Sequence, residues 1–400
     1  MMISRWMPRR LLLTATLIAA LGAALSACGG DGDAAVSSEP SHAQRAADKG
    51  VQQGLVGVAF THVTANDMDE GVAGVRKVGT HDPVRRDDWF QLGSNTKAMT
   101  ASVAARLVER GVIAWTTTLA EALPDLAAGM REAYRTVTLE QLLNHRGGVM
   151  AFSRPTDTEA FAAYLETLGN AQPGTLAGRQ RLFAAWLLAQ PSPQGVTPGG
   201  DYYYSNAGYA LAGMMLEARS GRTFQELFDQ EMAVPLGLEV RWVAADEVAV
   251  DRPSGHSEVQ GQLPEVVPPV DPQEALWGEI LRPAGRTLAI RPTSYARWIR
   301  WHLLALQGQA TPLPSGYLQR LKQLQTNDYA MGWEAVQAPG GRPMLTHAGQ
   351  WGGFNSMAVI DRSGRSGSLG LTNTVDDSST GAGWVIELLG SALIELENLP

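Results

Sequence analysis

The chain of 400 residues has one cysteine, Cys28, and only four lysines, Lys49, Lys77, Lys97 and Lys322, among 32 basic residues. A single cysteine excludes an intramolecular disulfide framework, a Cys-rich zinc site and a C-x-x-C redox pair. There is no basic block and the formal net charge is -8, which argues against nucleic acid as the partner. After the first 27 residues no stretch reaches 18 uninterrupted apolar residues, so no membrane span is expected there. Gly-x-Ser-x-Gly, His-Glu-x-x-His, Walker A and dinucleotide-type glycine patterns are all missing. The elbow serine hydrolases, zinc hydrolases and nucleotide-binding folds therefore lack their signatures. What is there is ample apolar content, 44% against 18% charged, enough for a sizeable core.

The N-terminus has the form of an export signal. Arg5, Arg9 and Arg10 precede an uncharged apolar stretch from Leu11 to Leu25, shorter than the roughly 20 residues of a membrane helix. Leu25-Ser26-Ala27-Cys28 resembles the bacterial lipobox, whose cysteine becomes the lipidated N-terminus. Gly29 follows in place of the aspartate linked to inner-membrane retention, which points to the outer membrane, facing the periplasm. Removing residues 1–27 would leave 29 basic against 40 acidic residues, a net charge of -11. Residues 28–48 read as a flexible tether, being rich in small and polar residues with no apolar period. The folded domain is expected over 49–400.

Within it, short strands are predicted at Val56–His62, Gly74–Val78 and Trp89–Leu92, with turn residues from Asn66-Asp67 to Gly71 between the first two. A helix opens at Ser94 and stops at Gly111. The middle of the chain is mainly helical. Strands return at Met344–His347, Phe354–Ile360 and Ser368–Thr372, and a helix covers about 381–397. The expected class is α/β (α+β): one antiparallel sheet built from both termini, flanked by helices, with a mainly helical insertion.

Three short patterns carry chemistry. In Ser94-Asn95-Thr96-Lys97, positions i and i+3 share a helix face, so the lysine nitrogen can reach the serine oxygen. Serine needs an adjacent proton acceptor, and burial lowers a lysine pKa toward that task. Tyr204-Ser205-Asn206 offers a phenol, a general base if nearby cations lower its pKa, and an amide able to hold the lysine and a substrate. His347-Ala348-Gly349 ends a predicted strand whose backbone can bind substrate as an added strand. Each pattern is cheap alone. Their joint occurrence in this order is expected only about 0.005 times by chance.

Order and spacing resemble the penicillin-recognising serine hydrolases, in particular the branch of class C β-lactamases, D-Ala-D-Ala peptidases and esterases, over roughly Val56 to Glu397. Leu142-Leu143-Asn144-His145-Arg146-Gly147-Gly148, Pro198-Gly199-Gly200, Pro235-Leu236-Gly237-Leu238 and Tyr329-Ala330-Met331-Gly332-Trp333 match the same style. The resemblance implies that Ser94 is the acyl-forming nucleophile and that Lys97 and Tyr204 transfer protons. It implies that Asn206 positions Lys97 and the substrate, and that His347 takes the place of the third-motif lysine. It puts the oxyanion hole at the backbone N–H groups of Ser94 and of Gln350, the residue after Gly349. Trp351 is a candidate wall for an acyl group, or a core residue. No metal or organic cofactor is implied, and the partner is a small ester, amide or peptide.

The third motif departs from the usual Lys-Thr-Gly. With an ordinary imidazole pKa of about 6.5, His347 is mostly neutral at pH 7, and Ala348 has no hydroxyl. Recognition of a substrate carboxylate is then weak unless an arginine elsewhere supplies it. This favours an esterase or amide hydrolase over an efficient β-lactamase. β-Lactamase or D-Ala-D-Ala carboxypeptidase activity, and a non-catalytic binding module on the same fold, are the alternatives.

Overall fold

Apolar runs from the two ends of the chain meet in one seven-stranded antiparallel sheet. The computed structural model describes residues 39–244, 247–267, 278–376 and 383–399. The expected leader over 1–27, Cys28 and the first part of the expected tether lie outside them. The strands are β1 (Gly57–Thr64), β2 (Met68–Gly74), β3 (Tyr329–Ala330), β4 (Trp333–Gln337), β5 (Pro343–Trp351), β6 (Phe354–Asp361) and β7 (Ser366–Thr372). Their order across the sheet is β2-β1-β7-β6-β5-β4-β3, so β1 from the N-terminal part pairs with β7 from the C-terminal part. The helical region lies between β2 and β3 in sequence, as expected.

Strand alternation sorts the core onto two faces. Val58, Phe60, Met344 and Val359 turn toward α1 (His42–Gln52) and, near the C-terminus, a helix at Trp384–Glu397. Ala59, Val63, Leu345, Ile360, Leu369 and Leu371 turn toward the inserted region. That region includes α2 (Thr96–Glu109), α3 (Asn206–Ser220) and α4 (Pro292–Leu306), and the helix at Trp384–Glu397 is α5. Among the described residues no helix is long and apolar enough to cross a membrane.

Two expected boundaries move. Residues 42–48, read as tether, belong to α1: Ser41 caps the helix by accepting the Gln44 N–H at 3.2 Å, and Ala43, Ala47 and Gly50 are buried. Spaced four and three apart, these small residues form a narrow face that large-residue periodicity does not reveal. The second strand is β2, not Gly74–Val78. Thr64 Oγ1 accepts the Asn66 and Asp67 N–H groups, closing the turn early. Gly71, read as a turn residue, lies within the strand because a Cβ there would collide with the backbone of Ala43.

The α5 end is fastened by a buried polar cluster. Glu397 accepts hydrogen bonds from Ser366 Oγ (2.7 Å) and Ser368 Oγ (2.6 Å), and His62 Nδ1 lies 2.9 Å from Ser368 Oγ. Glu397→Ala removes the carboxylate that accepts from two buried hydroxyls. Unfolding stability is expected to fall by about 1–3 kcal/mol, measured by denaturant titration.

Candidate active site

Ser94 sits in the 3-10 turn Gly93–Asn95 that leads directly into α2. The turn is fixed to the sheet from below: Asn95 Nδ2 donates to Ser356 Oγ (2.7 Å), which donates to the Leu92 carbonyl (2.6 Å). One helical turn on, Lys97 is fully buried, and its Nζ lies 3.0 Å from Ser94 Oγ. The other neighbours of that nitrogen are carbonyl oxygens, Asn206 Oδ1 at 2.7 Å and Ala284 O at 2.6 Å. Burial lowers the Lys97 pKa well below that of a free lysine.

The two carbonyls decide how the hydrogens are arranged. The Asn206 amide is oriented by Nδ2, which donates to the Phe152 carbonyl at 3.0 Å, so its oxygen faces Lys97. A neutral amine has two N–H donors and one lone pair. Carbonyls only accept, so Asn206 and Ala284 take both donors and the lone pair is left for the Ser94 hydroxyl. Tyr204 OH lies 2.8 Å from Ser94 Oγ. With its own proton engaged by Lys97, Ser94 can still accept the tyrosine O–H.

Tyr204 differs from the expectation of a phenol acidified by nearby cations. Its pKa is pushed up to about 12, chiefly by burial and despite the hydrogen bond to Ser94. The physical reason is that the one close amine, 4.9 Å from its ring centroid, is itself driven toward its neutral form. Tyr204 is therefore a proton donor to Ser94 at neutral pH, and Lys97 is the better acceptor.

Tyr204 is held by the segments around it. Ser205 caps α3 by accepting the Gly208 N–H at 2.9 Å and donates to the Met150 carbonyl at 2.6 Å. His145 Nδ1 accepts the Ser205 N–H at 3.1 Å, and its ring lies 4.2 Å from the Tyr204 ring. His145 thus braces the tyrosine loop. Burial, with Lys97 and His347 nearby, pushes its pKa well below the usual imidazole range.

The edge of β5 completes the site. β4 pairs only with Pro343–Thr346, so beyond Thr346 that edge leaves the ladder and meets the serine turn. Gly93 (φ 54°) and Gly349 make the approach possible: a Cβ on Gly93 would stand 2.5 Å from Gln350 N, and one on Gly349 2.8 Å from Ser94 N. The backbone around Ser94 and Gln350 therefore converges at one place. His347 is buried on β5, with Nε2 3.3 Å from Tyr329 OH. Burial, with a smaller contribution from Lys97, pushes its pKa down to about 3, so the imidazole is neutral throughout the working range. Trp351 is partly exposed at the end of the strand, whereas Trp333 and Phe354 are fully buried core residues.

Ser94, Lys97, Tyr204 and Asn206 are thus linked in one cluster through Ser94 and Lys97, with His347, Gly349, Gln350 and Trp351 on the adjoining strand. Several neighbours had no motif to reveal them. Tyr209, whose ring lies 5.5 Å from Lys97 Nζ, is three residues after Asn206 and so shares its helix face. Ser356, Ala284 and Arg286 are assembled only by the fold.

A buried S-x-x-K lysine on the serine, a tyrosine on its other side and an antiparallel sheet edge beside them define a serine hydrolase of the penicillin-recognising kind. Residues 42–390 match the family model described as Beta-lactamase, and the chain belongs to that family. It is similar to penicillin-binding protein 4 of Amycolatopsis lactamdurans, with 27% identity over 79% of this chain and 80% of that one. A D-stereospecific amidohydrolase from Streptomyces sp. superposes with a TM-score of 0.65 at 23% identity, covering 88% of this chain and 98% of the other. The D-amino acid amidase of Ochrobactrum anthropi SV3 gives 0.67 at 18%, covering 89% and 96%.

Lys97→Arg replaces the proton-accepting amine with a cation that cannot accept a proton at working pH. It is expected to lower kcat/KM by about 10²–10⁴-fold in a stopped ester assay. In the wild type, kcat/KM should rise once with pH, through the depressed Lys97 pKa. Tyr204, titrating near 12, should cause no alkaline loss below about pH 11. A bell-shaped profile falling near pH 8 would refute that assignment.

Proposed function

We propose that the enzyme cleaves ester or amide bonds through an acyl-Ser94 intermediate in the cell envelope, and that it turns over esters more readily than β-lactams. The observation that carries this reading is Ser94 Oγ held between Lys97 Nζ at 3.0 Å and Tyr204 OH at 2.8 Å. As Ser94 Oγ bonds to the substrate carbonyl carbon, its proton passes to Lys97. The N–H groups of Ser94 and Gln350 receive the developing oxyanion. Collapse breaks the bond to the leaving group, which takes a proton from the Lys97–Tyr204 pair, and water then releases the acid. Asn206 holds the lysine.

The preference against β-lactams rests on the third motif. Neutral His347 and methyl-bearing Ala348 provide neither a permanent cation nor a hydroxyl for a carboxylate on the leaving-group side. A second reading, hydrolysis of D-amino acid amides or peptides, draws on the names of the similar amidohydrolase and amidase. A panel of p-nitrophenyl butyrate, D-phenylalanine amide, D-Ala-D-Ala peptide and nitrocefin, run beside Ser94→Ala, separates the readings. The ester should be the best substrate, and Ser94→Ala should lose at least about 10³-fold in rate. Equal ester turnover by wild type and variant would sink the acyl-Ser94 mechanism. Turnover of nitrocefin faster than of the ester would overturn the substrate preference.

Envelope location rests on the lipobox-like run ending at Cys28. Expressed in a Gram-negative host, the full chain should sediment with membranes, and Cys28→Ser should appear in the soluble periplasmic fraction. Identical fractionation would remove the anchor.

A further inference from the structure

Among the described residues, Arg286 differs from Arg252, Arg282 and Arg320, three other arginines around the insertion that are buried or half-buried. Arg252, Arg282 and Arg320 each meet a carboxylate, those of Glu247, Glu279 and Glu140. Among the described residues the Arg286 guanidinium has no such partner, and it lies on the face of Trp351, 4.1 Å from the ring centroid. Burial without a counter-charge pushes its pKa down to about 10, which still leaves it charged at neutral pH. A cation that has given up part of its water and rests on a π face keeps its in-plane N–H donors for something else.

Its position is set by the chain on either side. Ala284 O binds the Lys97 amine, and a Cβ on Gly285 would stand 2.9 Å from Ser94 N. Arg286 is the next residue. Trp351 follows the oxyanion-side residue Gln350 and is two positions beyond Gly349, hence on the same strand face, about 7 Å along. The guanidinium is therefore placed within a short side chain's reach of the reacting carbonyl.

The placement also indicates which half of the substrate it meets. The group that protonates the leaving atom must lie on the leaving-group side. Tyr204 and Lys97 supply that proton, and His347, the β5 residue that contacts Tyr329 of their aromatic cluster, lies before Gly349. Trp351 and Arg286 lie past Gln350, on the opposite side of the oxyanion position. A substrate laid along this edge thus points its leaving group toward Tyr204 and its acyl group toward Trp351.

We propose that Arg286, held on Trp351, binds a carboxylate carried by the acyl half of the substrate, so that acyl groups with a terminal carboxylate are preferred over neutral ones of equal length. This rests on the acyl-Ser94 reading above. It adds a specificity-determining residue: the methylenes of the acyl chain cover the indole and the terminal carboxylate takes the guanidinium N–H groups.

The test compares p-nitrophenyl hemiesters of succinic, glutaric and adipic acid with the p-nitrophenyl esters of butyric, valeric and caproic acid, after subtraction of buffer hydrolysis. In the full-length wild type, kcat/KM for the best acid is expected to exceed that of its neutral partner by about tenfold or more. The ratio should shrink as salt is raised. Arg286→Gln should bring it to about one, and Arg286→Lys, which keeps the charge without the fork, should retain an intermediate value. An acid-to-neutral ratio of one or less in the wild type overturns the proposal, as does a high ratio that survives in Arg286→Gln. If Arg286→Gln does not fold, the salt dependence and Arg286→Lys carry the same decision. Absence of turnover of every ester, or turnover that persists in Ser94→Ala, would instead strike the acyl-Ser94 reading.

Discussion

A single amine, removed from water, ties together parts of the chain that lie far apart in sequence. Lys97 Nζ meets Ser94 from its own turn, Asn206 from the start of α3 and Ala284 from the segment before the short strand Leu288–Ile290. None of these neighbours is a carboxylate, so nothing nearby repays the cost of keeping a charge there, and the lysine is driven toward the neutral form. Two carbonyls then dictate where its hydrogens go and leave the lone pair to the serine. Closing the parts of the helical insertion around α2 and creating a proton acceptor are thus one event. Thr100 Oγ1, which donates to the Pro283 carbonyl at 2.8 Å one turn further along α2, secures the same junction.

The surroundings keep competing charge away. His145 and His347 are both buried, and both have pKa values lowered by burial and by Lys97 itself. Tyr202, Tyr204, Tyr209 and Tyr329 surround the His145 imidazole, Tyr329 also faces His347, and burial raises each phenol. The result is a polar but largely uncharged pocket in which a proton moves between neutral groups. A lysine in place of His347 would add a cation and change that balance. Arg286 lies at the far side, against Trp351, where its charge bears on recognition.

Much of this was legible in the sequence because the responsible patterns are local. Ser94 and Lys97 meet through helix geometry alone, and their 3.0 Å contact needs only one turn of backbone. The inner strands β1, β5, β6 and β7 were readable because apolar runs or alternation survive in them. Harder to read were elements built from small residues. The face of α1 is Ala43, Ala47 and Gly50, and β2 contains Gly71, whose missing side chain signals a turn in sequence but makes room for the helix lying across the strand. His145, Tyr209 and Ser356 carried no periodic signal, because their value lies in what other segments place beside them.

By itself the sequence determined the chemistry available: a nucleophile with a lysine one turn away, a tyrosine and asparagine in a second motif, and a third motif lacking both lysine and threonine. It also determined that arginine, the basic residue used nearly everywhere else, was not used where a proton must be accepted. Only the tertiary structure decided the protonation states. Whether Tyr204 is acidified or kept neutral, and whether Lys97 donates or accepts, depends on burial and on which carbonyls surround the amine. Those surroundings come from residues 109 and 187 positions away from Lys97. Desolvation is a property of the assembled interior, and no local pattern carries it.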